Sequence, residues 1–275
     1  MLATAPTIDL QGESTSPGRL ARQLWEAREL FLILSRKEFH VRYRRASFGI
    51  LWALALPLLQ AAVLALVFSK VAHIRAAPHY AVFVLAGMAP WSYFSMTISA
   101  GSTAVVDSTD LSSKVYFPRA VLPLAQLAAN LYGYLVTVAI VLLLCPLFHV
   151  GLGPAALLLL PASILLLALT AGFCLTASAL HVYFRDVRYI VSAALMVWFY
   201  VTPVVYPAGD ASGKLRLLLE LNPMTGILDL FRTATVGGVG PMAVPVLISL
   251  AWTLGLLTTA TLLHCRYQRV FADLL

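Results

Sequence analysis

The sequence predicts an all-α, polytopic membrane protein. Of the 275 residues, 60% are hydrophobic and only 11% are charged, whereas a soluble domain carries about 25% charged residues. Apolar runs of about 20 residues recur along the chain, and a helix of that length crosses the hydrocarbon core of a bilayer. The charged residues are concentrated in short segments between these runs, as in membrane proteins. We therefore expect a helical bundle in the membrane and no separate soluble core.

The N-terminal region precedes the first apolar run. Residues 1–18 are rich in Ser, Thr and Pro and lack the apolar core of a signal peptide, so we expect a disordered cytoplasmic tail. The single transmembrane domain then covers residues 19–275. Residues 19–46 are predicted to form an amphipathic interface helix on the membrane surface. Its apolar face consists of residues spaced by four and three, Leu20, Leu24, Ala27, Phe31 and Leu34.

Six membrane spans are predicted, five within residues 48–206 and one at residues 244–264. The spans cover approximately residues 48–71, 80–106, 122–150, 155–182, 189–206 and 244–264. Residues 207–238 contain two apolar segments that are each too short to cross, separated by Asn222 and Pro223. A re-entrant external hairpin fits this pattern, because backbone breaks at membrane depth need cover from protein or water. An ordinary surface loop with two amphipathic helices is the alternative.

The distribution of basic residues predicts the orientation. Fourteen of the 19 Lys and Arg residues fall on segments that six spans would place in the cytoplasm, which supports an N-in, C-in topology. The densest cluster, RKEFHVRYRR at residues 36–45, directly precedes the first span. The net charge of +7 is therefore interpreted as a topology signal, and no nucleic-acid partner is expected.

Several kinds of chemistry are missing from the sequence. None of the twelve acidic residues lies near the middle of a predicted span, whereas ion-coupled transporters commonly use ionisable groups there. The chain has no G-x-x-x-x-G-K-[ST] or H-E-x-x-H motif. Its three cysteines form no spaced pair, so we expect no metal site. The chain is not expected to be an enzyme, and the energy for directed transport would enter through another subunit.

Two functional alternatives stay open at this point. A channel or secondary transporter would need no ATPase, although the expected intramembrane charges are missing. A membrane-embedded transferase would need a catalytic acid or metal constellation. The closest candidates for that role, Asp107 and Asp110, have no partners in the sequence.

Two short polar segments between spans combine aromatic and charged residues. They are VYFPR at residues 115–119 and YFRDVR at residues 183–188, which we call the first and second elbows. Such segments can place rings in the apolar pocket of a partner while their charges fix its orientation. The alternative is that the charges only mark the cytoplasmic side and the rings lie at the membrane interface.

Two aromatic stretches lie inside predicted spans. In the first, GMAPWSYFSMTIS at residues 87–99, the helix breakers Gly87 and Pro90 lie beside aromatic rings. The second, WFYVTPVVY at residues 198–206, again combines aromatic residues with a proline. We interpret the two stretches as facing walls of a channel for a long amphipathic cargo such as a glycan. Interfacial or core packing of the same rings is the alternative. The candidate channel residues are Trp91, Tyr93, Phe94, Trp198, Phe199, Tyr200 and Tyr206.

Six motifs in a fixed order carry a resemblance to a known family. They are VRYRRASFGILWALALP (41–57), AGMAPWSYFS (86–95), KVYFPRAVLPL (114–124), YFRDVRYIV (183–191), WFYVTPVVYP (198–207) and LNPMTGILDLFR (221–232). Across residues 36–271 the chain resembles the permease subunits of ATP-binding-cassette (ABC) exporters for O-antigen, teichoic acid and related polysaccharides.

The resemblance implies a homodimer in the bacterial inner membrane, in which each protomer docks a separate ATPase subunit. ATP and Mg²⁺ would be bound by that ATPase, and no cofactor by this chain. The implied cargo is an undecaprenyl-diphosphate-linked polysaccharide, with an exporter of another lipid or of a drug as the alternative. The implied ATPase-coupling residues are Tyr116, Phe117, Pro118, Arg119, Phe184, Arg185, Asp186 and Arg188. Arg42, Arg44 and Arg45 are candidates for the lipid diphosphate, and Asn222, Pro223 and Arg232 for an external gate hairpin, residues 207–238.

Overall fold

The computed structural model describes residues 16–44, 52–70, 79–112, 117–151, 153–210, 212–237 and 242–267. All the regular secondary structure in these ranges is helical. The α-helices are α1 (Pro17–Glu26), α2 (Arg28–Tyr43), α3 (Trp52–Lys70), α4 (Tyr80–Asp107), α5 (Thr109–Ser112), α6 (Val121–Leu147), α7 (Leu159–Tyr183), α8 (Val187–Val201), α9 (Gly213–Leu221), α10 (Pro223–Thr235) and α11 (Ala243–Tyr267). A 3-10 helix, Pro154–Leu158, leads directly into α7.

The N-terminal amphipathic segment forms two helices, α1 and α2, where one was expected. The Ser16 side chain caps α1 by accepting a hydrogen bond from the Arg19 backbone N–H. The break falls at Ala27, whose backbone (φ −83°, ψ 9°) leaves the helical region. The predicted apolar face is confirmed, because Leu20 and Leu34 are buried and the charged residues between them are exposed.

Helix α4 lies at the centre of the bundle. It packs against α3, α6, α7, α8 and α10, and it is the most buried of the long apolar helices. The helix continues through both Gly87 and Pro90, so neither residue breaks it. Packing on several sides compensates for the hydrogen bond that a proline removes.

Four helical segments in the described ranges are long and apolar enough to cross a membrane. They are Tyr80–Asp107, Val121–Leu147, Pro154–Tyr183 and Ala243–Arg266, and they correspond to the second, third, fourth and sixth predicted spans. The apolar helices Leu58–Val67 and Val187–Val201 are shorter. They overlap the first and fifth predicted spans, which are therefore not confirmed as complete crossings.

Helix α8 ends five residues before the predicted end of the fifth span. It stops at Val201, and Thr202 takes an extended conformation (φ −88°, ψ 132°). Pro203 explains the difference, because a proline disfavours the helical region for the residue before it. Residues 202–206 instead form a turn, which we call the post-α8 turn.

Two short helices, α9 and α10, follow this turn and meet at Asn222, as the sequence pattern predicted. Asn222 caps α10 by accepting a hydrogen bond from the Met224 backbone N–H, and Pro223 occupies the first turn of α10. Helix α10 packs against α4, α7 and α11 and is mostly buried, whereas α9 is mostly exposed.

The bundle has two chemically different ends. At one end, a cluster of apolar residues joins Leu34 of α2 to Phe117 of the first elbow and Val182 next to the second elbow. At the other end, His79, Val150 and Arg232 line a common cavity. We call these the elbow end and the hairpin end.

Candidate functional site

The two aromatic stretches lie against each other in one chain. The ring centroids of Phe94 and Trp198 are 5.3 Å apart, and those of Trp91 and Phe199 are 5.6 Å apart. Phe173 of α7 completes the cluster, 5.6 Å from Phe94 and 5.3 Å from Trp198. The two stretches therefore form one continuous wall within the chain and do not face each other across a gap.

Exposure differs greatly among the candidate channel rings. Trp91, Tyr93 and Phe94 are buried, and the Tyr93 hydroxyl donates to the Leu127 carbonyl oxygen. Tyr200 is 74% exposed, and its backbone carbonyl oxygen accepts a hydrogen bond from the Tyr206 hydroxyl. The role of these rings in lining a channel stays a prediction.

Three polar side chains hold the post-α8 turn from different elements. The Tyr80 hydroxyl of α4 donates to the Val205 carbonyl oxygen at 2.6 Å. The Arg232 guanidinium of α10 donates to the Val204 carbonyl oxygen at 2.7 Å. The Asn222 side-chain amide donates to the Thr202 hydroxyl at 2.9 Å. The turn is therefore fixed to α4 and to the junction of α9 and α10.

Asn222 also connects the gate hairpin to an aromatic channel candidate. Its side-chain oxygen caps α10 and accepts a second hydrogen bond from the Trp198 indole N–H, at 3.1 Å. Asn222 is buried, so removal of its side chain would leave the groups that bond to it without a hydrogen-bond partner. The structure thus brings two separately predicted sets of residues into one hydrogen-bonded unit.

Arg232 lies where α4, α10 and the post-α8 turn meet. Its guanidinium carbon is 3.7 Å from the centroid of the Phe83 ring, a distance typical of a cation–π contact. Burial lowers the pKa of Arg232 to about 9, because the charged form loses hydration; the group still stays protonated at neutral pH. Gly87 gives this side chain room, since a Cβ there would lie 3.0 Å from Arg232 Nη2.

The two elbows lie together at the elbow end but differ in exposure. Phe117, Pro118 and Arg119 of the first elbow are buried. In the second elbow Phe184 is 64% exposed, and the neighbouring Arg185 and Asp186 are exposed too.

An ion pair ties the start of α8 to the end of α4. Arg188 Nη2 lies 3.0 Å from Asp107 Oδ1, and both side chains are about half exposed. The second elbow is thereby held beside the helix that leads into the first elbow.

Arg42 has partners within the protein. It donates to the Gln126 side-chain oxygen at 3.2 Å, and the Gln126 amide donates to Glu38 at 2.8 Å. These bonds fasten α2 to α6. Arg44 is exposed directly after α2, whereas Arg45 and Tyr116 lie outside the described residues.

Comparison with known proteins extends these observations. A family model described as ABC-2 type transporter matches residues 29–236. The chain belongs to the ABC-2 type transporter family. It is 32% identical over 264 residues to the O-antigen export system permease protein RfbA of Myxococcus xanthus, covering 93% of this chain and 98% of that protein. Two proteins of the same name from Klebsiella pneumoniae are 28% and 27% identical, over 77% and 76% of this chain.

In this ABC-2 transporter chain, several site residues escaped sequence reasoning. Gln126 and Glu38 bond to partners more than 80 positions away, so no local pattern marks them. Asp107 was considered only as a catalytic acid without partners, and its ion pair with Arg188 is likewise distant in sequence. Thr225 and Asp229 did leave a signal, because their spacing with Arg232 places all three on one face of α10. A polar stripe of that kind in an apolar helix predicts a polar site.

Proposed function

We propose that this chain is the transmembrane subunit of an ATP-driven exporter that moves an undecaprenyl-diphosphate-linked, O-antigen-type polysaccharide across the bacterial inner membrane. The observation that carries the proposal is the likeness to the Myxococcus xanthus O-antigen permease, which extends over 98% of that protein. The cargo is a long chain of hydroxyl-rich sugar rings, and such a cargo suits a wall that combines aromatic and polar groups.

A groove beside the aromatic cluster supports this cargo. It has a volume of about 740 Å³ and lies between α3 and α4. Trp91 lines it together with three polar side chains, Gln60, Ser92 and Ser95. Trp91 is only 5% exposed, so the ring offers a small apolar edge, while the hydroxyl and amide groups beside it can bind the hydroxyls of a sugar. In our proposal the groove is part of the channel, which two copies of the chain enclose in a homodimer.

The proposed topology has six spans, with both termini in the cytoplasm and a re-entrant hairpin of α9 and α10. Helix α3 has 19 residues and is thus about 28 Å long, close to the hydrocarbon thickness of about 30 Å. Helix α8 has 15 residues, and its path is extended by the post-α8 turn. This arrangement places the elbow end in the cytoplasm, where the basic residues are concentrated.

ATP would be bound and hydrolysed, with Mg²⁺, by a separate ATPase subunit docked at the elbow end, two copies per homodimer. The exposed residues Phe184, Arg185 and Asp186 of the second elbow are suited to direct contact. The buried residues Phe117 and Arg119 of the first elbow would transmit the movement through their packing.

The test combines Phe184→Ala with Arg185→Ala in a strain whose own copy of the gene is deleted. We expect membrane insertion to be retained and the polysaccharide at the cell surface to fall strongly, because the permease loses its contact with the ATPase. Surface polysaccharide and the amount of ATPase that co-purifies are measured in parallel.

Phe148→Ala is the matched control, since it removes an exposed ring from the opposite end of the bundle. It should export like the wild type. Normal export and normal ATPase docking in the double variant would contradict the assignment of the second elbow. Unchanged surface polysaccharide after deletion of the gene would contradict the proposed function itself.

A further inference from the structure

The structure contains a cavity at the hairpin end that the proposed transport function does not use. It has a volume of about 750 Å³ and lies between the start of α4, the turn after α6, the post-α8 segment, α10 and the start of α11. Pockets of about 300–1,000 Å³ are typical of small-molecule sites. The cavity is therefore large enough for sugar rings, and it lies at the end opposite the elbows.

One face of α10 supplies four polar side chains of this cavity, which His79 and His149 also line. Thr225, Asp229, Arg232 and Thr233 all line it, and their spacing of four, three and one places them on one side of the helix. The other residues of α10 are mostly buried apolar side chains. The polar stripe thus faces a partly open cavity, where ordinary packing would have placed an apolar stripe.

Two of these groups have unused hydrogen-bonding capacity. Thr225 is 2% exposed, and its hydroxyl oxygen has no hydrogen-bond partner among the described residues. The Nε atom of Arg232 is buried, and in the part of the chain that the structure describes it has no hydrogen-bond partner either. Buried polar groups in native structures are nearly always paired, so two such atoms at one cavity point to a ligand or to bound water.

The charges at the cavity restrict the kind of ligand. Asp229 accepts a hydrogen bond from the Met242 backbone N–H through Oδ2. Although it lies one helical turn from Arg232, the two form no ion pair in the part of the chain that the structure describes. The carboxylate would repel an anionic ligand and the guanidinium would repel a cationic one. Burial raises the pKa of Asp229, as expected where water solvates a carboxylate poorly.

We propose that this cavity is a subsite for a neutral sugar residue of the exported polysaccharide. A sugar can donate a hydroxyl to Asp229 and accept from Arg232 Nε, while the Thr225 hydroxyl serves either role. Pro203, Pro207 and Phe83 also line the cavity and offer apolar surfaces to the C–H faces of the ring. The inference rests on the proposed function, and it places a glycan contact on the gate hairpin.

The experiment uses the complete exporter complex in lipid nanodiscs. The probe is the polysaccharide released by mild acid from the lipid-linked glycan of the strain that carries the gene, and its binding is measured by saturation-transfer NMR. We expect Thr225→Val to weaken binding about three- to tenfold, the effect of one hydrogen bond. Asp229→Asn should weaken it at least as much, and Thr225→Ser should bind like the wild type.

Thr235→Val is the matched control on the same helix. Thr235 is as buried as Thr225, but its hydroxyl donates within α10 to the Phe231 carbonyl oxygen, and it does not line the cavity. Its binding should equal that of the wild type. Because Thr225→Val removes a hydroxyl that bonds to none of the described residues, that complex should also keep the thermal stability of the wild type.

Two results would overturn the subsite. One is that an exporting wild-type complex shows no saturation transfer to the polysaccharide. The other is that Thr225→Val and Asp229→Asn bind it as the wild type does, in which case bound water satisfies the polar atoms. In both cases the complex still exports polysaccharide, and only the subsite is refuted. Failure of the proposed function would show itself differently, because deletion of the gene would leave the surface polysaccharide unchanged.

Discussion

Gly87→Ala should destabilise the chain, although alanine is the better helix former. Gly87 lies within α4 and faces the post-α8 turn. A Cβ at this position would lie 2.6 Å from the Val204 carbonyl oxygen and 3.0 Å from Arg232 Nη2, whereas ordinary contact begins at 3.4 Å. The carbonyl would have to retreat by about 0.8 Å. The hydrogen bond that it accepts from Arg232, now 2.7 Å long, would be disturbed by that movement.

The magnitude follows from three opposing contributions. Overpacking a well-filled interior costs about 1–3 kcal/mol, and loss of a hydrogen bond to a charged group costs about 1.5–3 kcal/mol. Replacing glycine by alanine in a helix returns about 1 kcal/mol. The free energy of unfolding should therefore fall by about 1.5–5 kcal/mol, which corresponds to a decrease in Tm of about 3–20 °C for a chain of this size.

The assay is thermal unfolding of the purified complex, followed by tryptophan fluorescence. Gly255→Ala is the matched control, because Gly255 lies inside α11 and a Cβ there meets nothing within 4 Å. That variant should be as stable as the wild type or more stable by about 0.5–1 kcal/mol. If Gly87→Ala matched Gly255→Ala in Tm, the close packing of α4 against the post-α8 turn would be refuted.

Two further predictions concern the polar connections between elements. Asn222→Ala should lower the free energy of unfolding by about 2–3 kcal/mol, since it removes a helix cap and the partner of the Trp198 indole. Thermal unfolding measures the loss. A decrease in Tm of less than about 2 °C would contradict the role of Asn222 in joining α10 to Trp198 and Thr202. Gln126→Leu should lower stability by about 1–3 kcal/mol, because Glu38 and Arg42 both lose a partner. Limited proteolysis after α2 should then accelerate, and unchanged cleavage would show that Gln126 does not fasten α2 to α6.

Much of the fold could be predicted because hydrophobic length and periodicity are local signals. The inward face of α1 and α2 was identified from residue spacing, and it packs as expected through Leu20 and Leu34. The ends of elements were harder, since Pro203 ended α8 early whereas Pro90 was accommodated inside α4. The difference depends on tertiary packing around each proline, which a local pattern does not contain.

The candidate site was predictable only in part. The aromatic stretches and the junction at Asn222 were recognisable as unusual residues in apolar surroundings. Their mutual contact was not, because the 5.3 Å approach of Phe94 to Trp198 joins positions more than 100 residues apart. The spacing of Thr225, Asp229 and Arg232 indicates a polar stripe on α10, but the cavity that this stripe lines is formed together with four other parts of the chain.

The attachments of α8 suggest how a movement at one end reaches the other. None of its own residues is fully buried, although Val191, Leu195 and Phe199 pack against the core, so the polar attachments at its two ends help to fix its position. At its start, the half-exposed pair of Arg188 and Asp107 contributes at most about 1 kcal/mol. At its other end, Trp198 and Thr202 are bonded to the buried Asn222, a stronger attachment. A displacement at the elbow end should therefore release the ion pair first, so that α8 and the junction of α9 and α10 move as one unit.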